Sequence, residues 1–117
     1  YDIDISALSI ADTTDFGILR LIVNDPDKAT RVLKENGFTV RSTDVVAISV
    51  PDRPGGLAGA LDILEKESIG IEYTYAFVGK KAGEALVILR PDNPEKAVEA
   101  LRNNNIKVLS AEDVYSL

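Results

Sequence analysis

A 68-residue internal repeat constrains this chain more than any other feature of its sequence. Asn24-Asp25-Pro26-Asp27-Lys28-Ala29 returns as Asp92-Asn93-Pro94-Glu95-Lys96-Ala97. At the same offset Leu21, Leu33, Asn36, Val40, Ser42 and Val46 meet Leu89, Leu101, Asn104, Val108, Ser110 and Val114. Self-similarity at a fixed period means that one small folded unit occurs twice, so the 117 residues are not one ordinary domain.

The elements inside the repeat follow from local chemistry. Asp25 suits an N-cap with Pro26 at the first helical position, Ala29, Val32 and Leu33 form an i, i+3, i+4 apolar stripe, and Gly37 stops the helix. In the second copy Asn93 caps, Pro94 follows, and Ala97, Val98 and Leu101 make the stripe. Apolar strands are expected before these helices at Gly17–Val23 and Ala85–Leu89, and short ones after them at Phe38–Arg41 and Ile106–Leu109. Two more lie upstream at Ile3–Ala11 and Ile69–Val78. Their loops, Asp12-Thr13-Thr14-Asp15 and Gly79-Lys80-Lys81-Ala82-Gly83, are polar or glycine-containing, as hairpin connections are.

Only the second copy has more in front: a strand at Val45–Val50, a turn at Pro51–Gly56 and a helix at Leu57–Glu67 with the stripe Leu57, Ala60, Leu61 and Leu64. The second unit therefore reads β-α-β-β-α-β, the ferredoxin-like α+β plan of an antiparallel sheet with helices on one face. The boundaries expected are 1–43 for the first unit and 44–117 for the second. Because the first copy reads only β-β-α-β, a strand and a helix of roughly 25 residues are expected to precede Tyr1 in the natural protein. Strands Ile18–Val23 and Ala85–Leu89 are apolar on both faces, which predicts that the helix-free face is covered by another sheet or chain, and hence an oligomer.

Composition excludes more than it suggests. With no His and no Cys, the chain offers no Ser-His-Asp or Cys-His nucleophile, no zinc site of those ligands and no disulfide. A net charge of −6 opposes an extended phosphate-binding surface for nucleic acid. No apolar run is long enough to span a membrane and no signal segment opens the chain, so a cytoplasmic protein is expected.

The segment that carries chemistry is Asp52-Arg53-Pro54-Gly55-Gly56-Leu57, between a strand and a helix. Two glycines permit close backbone approach, and a helix N-terminus aims free N–H groups at a small anion such as a carboxylate. Asp52 at the rim could accept from an ammonium group. Together these describe a receptor for a free amino acid. Equally, Asp52 could cap the helix with Pro54 starting it, the glycines serving only a tight turn. No Gly-Lys-Ser/Thr follows, so this is not a nucleotide phosphate loop.

Val50-Pro51-Asp52-Arg53-Pro54-Gly55-Gly56-Leu57-Ala58 resembles the Asp/Asn-x-Pro-Gly-x-Leu signature of ACT domains, and Ile69-Gly70-Ile71-Glu72-Tyr73 resembles their second-strand start, matched in the first copy by Ile3-Asp4-Ile5. The resemblance covers the whole chain as a tandem pair. It implies a regulatory module that binds amino acids or other small ligands, with two four-stranded sheets joined into one continuous eight-stranded sheet. It places the ligand where the strand–helix loop of one unit meets the second-strand start of its neighbour. Carried over, Asp52, Arg53, Pro54, Gly55, Gly56 and Leu57 face Asp4, Ile5 and Ser6. The amides of Gly55, Gly56 and Leu57 would hold the ligand carboxylate, and Asp52 and Asp4 its ammonium. The equivalent start in the second unit is Gly70-Ile71, where Gly70 lacks the usual side-chain ligand; one good site per chain is expected.

Tyr73, Tyr75 and Phe77 alternate along one strand face, and sheet packing explains them better than base stacking in so acidic a chain. Lys80 and Lys81 suit a solvated hairpin tip. Asp12, Asp15, Asp25 and Asp27 match no calcium loop. Arg20 is the one charge on its apolar strand, facing either an ion-pair partner or a ligand. The function expected is a non-catalytic, allosteric amino-acid-binding protein, homodimeric, without metal, cofactor, nucleic-acid or membrane partner. The alternative is a regulatory domain or subunit of an amino-acid-metabolism enzyme whose catalytic part lies outside this chain. A small enzyme using Asp52 and Asp4 as a carboxylate pair lacks any accompanying nucleophile or cofactor loop.

Overall fold

The computed structural model describes residues 1–12, 15, 17–76 and 83–115, with the side chain of Tyr115 excepted. The elements run β1 (Ile5–Asp12), β2 (Gly17–Val23), α1 (Pro26–Glu35), β3 (Val46–Pro51), α2 (Gly56–Lys66), β4 (Ile71–Ala76), β5 (Glu84–Pro91), α3 (Pro94–Asn103), β6 (Lys107–Leu109) and α4 (Ala111–Tyr115). They form two compact units. Unit 2 is residues 44–111, and unit 1 is residues 1–43 with the C-terminal stretch beginning at Glu112.

Unit 2 has the βαββαβ order with strands arranged β4-β5-β3-β6, every neighbouring pair antiparallel. Strand β3 lies in the middle. It pairs with β5 from Val46↔Leu89 to Pro51↔Glu84, and with β6 through Ala47↔Leu109 to Ser49↔Lys107. Its five residues Val46–Val50 are all buried, as a central apolar strand must be if the sheet is to hold a helix layer. Val46, Ile48, Val50, Val87 and Leu89 meet Ala60 and Leu64 of α2 and Ala97, Ala100 and Leu101 of α3 in one core. Leu86 and Ile88, on the opposite face of β5, are as buried as Val87 and Leu89.

Helices α1 and α3 begin as the repeat dictates. The Asp25 carboxylate accepts from the Lys28 amide and the Asn93 side-chain oxygen from the Lys96 amide, each at 3.1 Å, with a proline at the helix start. They also end alike: Gly37 and Asn105 take positive φ, and Phe38 and Ile106 donate back to the Leu33 and Leu101 carbonyls at 3.0 and 2.9 Å.

Unit 1 is built from the β1–β2 hairpin and α1. The strand expected at Phe38–Arg41 does not form. Its counterpart β6 exists by pairing with β3, and unit 1 has no β3 equivalent among these residues, so Phe38–Arg41 has no edge to join. The same lack explains why the described strands form a two-stranded and a four-stranded sheet and not one continuous eight-stranded sheet. Strand β4 starts at Ile71 and not at the expected Ile69; Phe77 and Val78 lie outside the described residues, as does the hairpin stretch from Gly79 to Ala82. The short helix α4 was not expected. Among the described residues no helix is long and apolar enough to cross a membrane.

Burial sets an unequal cost of truncation. Leu89→Ala, at a fully buried position, should destabilise unit 2 by about 2 to 5 kcal/mol. Leu19→Ala on β2, where the side chain is 57% exposed, should stay within about 0.5 kcal/mol of the parent in urea unfolding.

Candidate functional site

The strand–helix connection after β3 is held by its own backbone. The Asp52 amide donates to the Gly83 carbonyl at 3.0 Å, the Arg53 amide to Pro51 at 2.9 Å, and the Gly56 amide to Arg53 at 3.0 Å. Gly55, in the left-handed region at φ 88, is the N-cap of α2. A Cβ on Gly56 would drive into the Pro51 carbonyl oxygen, so the close turn admits only glycine there. Asp52 therefore does not cap the helix and Pro54 does not start it. Helix α2, unlike α1 and α3, receives no side-chain cap at all. The first-turn amides of Leu57 and Ala58 have no acceptor among the described residues and carry the helix's partial positive charge outward. Asp52, Arg53, Pro54 and Gly55 are exposed around them.

This changes the donors read from sequence. The Gly56 amide is already spent on Arg53, whereas Ala58, at the third helical position, is free. Sequence reasoning missed Ala58 because it started the helix one residue late; two adjacent glycines do not announce which of them is the cap.

The second-strand starts are alike in the two units and differ in one informative way. In unit 1 the Asn24 amide donates to the Asp4 carbonyl at 3.1 Å, and the Asp4 amide returns to the Asn24 side-chain oxygen at 3.0 Å. In unit 2 the Asp92 amide donates to Gly70 at 3.0 Å and the Gly70 amide to the Asp92 carboxylate at 3.1 Å. A Cβ on Gly70 would stand 3.0 Å from that carboxylate. Each start thus presents one carboxylate, Asp4 beside a neutral Asn24 or Asp92 beside a bare Gly70, and the exchange avoids two charges in contact. Asp92 stands where Gly70 was expected to leave nothing. Both strands then carry an irregularity in the same place, between Ile5 and Ala7 and between Ile71 and Tyr73, so Ser6 and Glu72 sit on equivalent bulges.

Within unit 2 the loop and the strand start do not meet. Pro51 pairs with Glu84 at one end of β5 and Ile71 with Pro91 at the other, a span of roughly 24 Å at about 3.4 Å per residue. Asp52 to Leu57, Gly70 and Ile71 belong to unit 2, and Asp4, Ile5 and Ser6 to unit 1.

The family model described as an ACT domain pair matches residues 1–117. The chain belongs to the ACT family, as an ACT domain pair. Among solved structures, protein BT0572 from Bacteroides thetaiotaomicron is 48% identical to this ACT pair, with a TM-score of 0.92; the match covers 99% of this chain and 79% of that one. No curated protein matches it. ACT domains are regulatory small-molecule-binding modules.

The residues set aside in the sequence fall as follows. Tyr73 and Tyr75 stack with ring centroids 6.2 Å apart and planes 18° apart; Phe77, Lys80 and Lys81 lie outside the described residues. Arg20 is half-buried on β2 opposite Ser9. A shallow cleft bordered by Glu67, Lys96, Glu99 and Asn103 contains none of the expected site residues.

Two outcomes are expected in equilibrium unfolding. Gly70→Asp should cost about 1 kcal/mol through contact with Asp92, and Asp92→Asn in the same chain should recover most of it, reproducing the Asp4–Asn24 pair. Gly56→Ala should destabilise unit 2, whereas Gly59→Ala, inside α2 with nothing near its Cβ, should stabilise it by about 0.5 to 1 kcal/mol.

Proposed function

We propose that this ACT pair is a non-catalytic receptor for a free amino acid. The observation that carries the reading is the uncapped N-terminus of α2: an eleven-residue helix whose Leu57 and Ala58 amides have no acceptor among the described residues, in the loop that resembles the ACT signature. The ligand carboxylate caps the helix through these amides and that of Gly55, while Asp52 and a carboxylate from the second-strand start of another unit take the ammonium. Asp4 fills that second role in one unit and Asp92 in the other. The separation of loop and strand start along β5 supports a ligand bridging two units, and a bridging ligand stabilises their pairing by its differential affinity for the paired state. Pairing of two chains as a homodimer makes occupancy legible to other proteins.

Thermal-shift measurement against the twenty amino acids tests this. At 100 times its dissociation constant a true ligand stabilises by about 2.7 kcal/mol. Asp52→Ala and Asp4→Ala should each weaken binding at least about tenfold in titration calorimetry, about 1.4 kcal/mol. If none of the twenty shifts the transition, the amino-acid reading is lost and the fold stands.

A further inference from the structure

Helices α1 and α3 end on the same geometry and differ in the residue that follows the cap. Asn36 closes α1 at φ −98°, ψ 15°, and Asn104 closes α3 at φ −107°, ψ 20°. Each side-chain amide donates to the carbonyl four residues earlier at 2.8 Å, Asn36 Nδ2 to Val32 and Asn104 Nδ2 to Ala100. The next residue takes positive φ in both copies, Gly37 at 87° and Asn105 at 62°. Asn36-Gly37 is the one Asn-Gly pair in the sequence. Glycine has no side chain to screen its own amide nitrogen, and its backbone turns freely. A Cβ on Gly37 would meet nothing within 4 Å, so the space beside that nitrogen is open.

The exits of the two helices are also held differently. Ile106 packs on the core of unit 2 and leads directly into β6, which pairs with β3. Phe38 is 61% exposed, and residues 38–45 form no strand. Asn36 and Gly37 are exposed as well. The last turn of α1 is held by bonds such as that of the Gly37 amide to the Lys34 carbonyl at 3.1 Å, with an exposed residue and not a core residue at its exit. Helix ends of this kind open locally at little cost in free energy.

We propose that Asn36 is a site of covalent modification, deamidated through attack by the Gly37 nitrogen. When the last turn of α1 opens, that nitrogen gives up its proton and bonds to Asn36 Cγ; the Cγ–Nδ2 bond breaks, Nδ2 leaves as ammonia, and a five-membered succinimide closes. Water then adds to one of the two ring carbonyl carbons. Opening at Cγ breaks the bond just formed and leaves aspartate. Opening at the main-chain carbonyl breaks the original peptide bond and leaves isoaspartate, with one methylene more in the main chain. One water enters, one ammonia leaves and nothing is oxidised. Either product alters the helix end, because residue 36 loses the donor that met the Val32 carbonyl and gains a negative charge at the negative end of the α1 dipole. Isoaspartate also displaces the bonds of Gly37 to Lys34 and Phe38 to Leu33. At Asn104 the cap and its hydrogen bond are the same, but the nitrogen that would attack belongs to Asn105, which carries a side chain, and the exit is fastened at Ile106.

The test ages the folded 117-residue chain at mildly alkaline pH and follows the peptides that contain Asn36 and Asn104 by mass spectrometry, with isoaspartate identified by fragmentation. Deamidation at Asn36 is expected to exceed that at Asn104 at least about tenfold, with isoaspartate among the products and a rate that rises with pH, since the attacking nitrogen must lose its proton. Gly37→Asn installs the residue that α3 carries at the matching position of positive φ, and it is expected to slow the loss at Asn36 at least about tenfold. Asn105→Gly is the converse change in unit 2 and is expected to raise deamidation at Asn104 above that of the parent. Equal rates at Asn36 and Asn104 in the parent overturn the proposal. So does aspartate without isoaspartate at position 36, an unchanged rate in Gly37→Asn, or no rise at Asn104 in Asn105→Gly.

Discussion

Strand β3 is the constraint on which the rest of this molecule depends. It is hydrogen-bonded on both edges and buried at five consecutive positions, so it joins β5 to β6 and supplies three of the residues beneath α2 and α3. Where β3 is present, a four-stranded sheet, two covering helices and a closed core follow. Unit 1, which has the same hairpin and the same capped helix but no such strand among these residues, keeps a two-stranded sheet and leaves Leu19 and Phe38 in water. The comparison is internal to one chain, and it separates what local sequence does from what one central strand does.

The glycine loop is a consequence of the same strand. Because β3 ends at Pro51 against Glu84, the chain must turn at once into α2, and it does so with Gly55 in the left-handed region and Gly56 against the Pro51 carbonyl. The geometry that allows the turn also leaves the helix without a side-chain cap. Asp25 and Asn93 cap α1 and α3; α2 receives no such cap. The strand starts supply the opposite charge, and the exchange of Asp4 with Asn24 for Gly70 with Asp92 keeps one carboxylate at each without setting two against each other.

Much of the fold was legible because its signals are local. The caps at Asp25 and Asn93, the helix stop at Gly37, the apolar stripes and the hairpins each depend on residues a few positions apart, and the repeat confirmed each reading with a second copy. The tight turn of the loop was legible through its two glycines. What failed was non-local. Phe38–Arg41 has a strand's composition but no partner, and composition does not report the absence of a partner. Asp92 escaped notice because it acts on Gly70 across 22 positions of sequence, and Ala58 because the identity of the cap is a matter of φ at Gly55.

The sequence by itself determined that this chain is a repeated α+β unit of the ACT family, with a glycine-rich loop before α2 and no His or Cys chemistry, since repeats, caps and motifs are carried by neighbouring residues. Only the tertiary structure decided which amides at that loop are free, which carboxylate stands at each strand start, and which half of the repeat closes its core. Those depend on strand pairing, and pairing is settled by edges that meet in space.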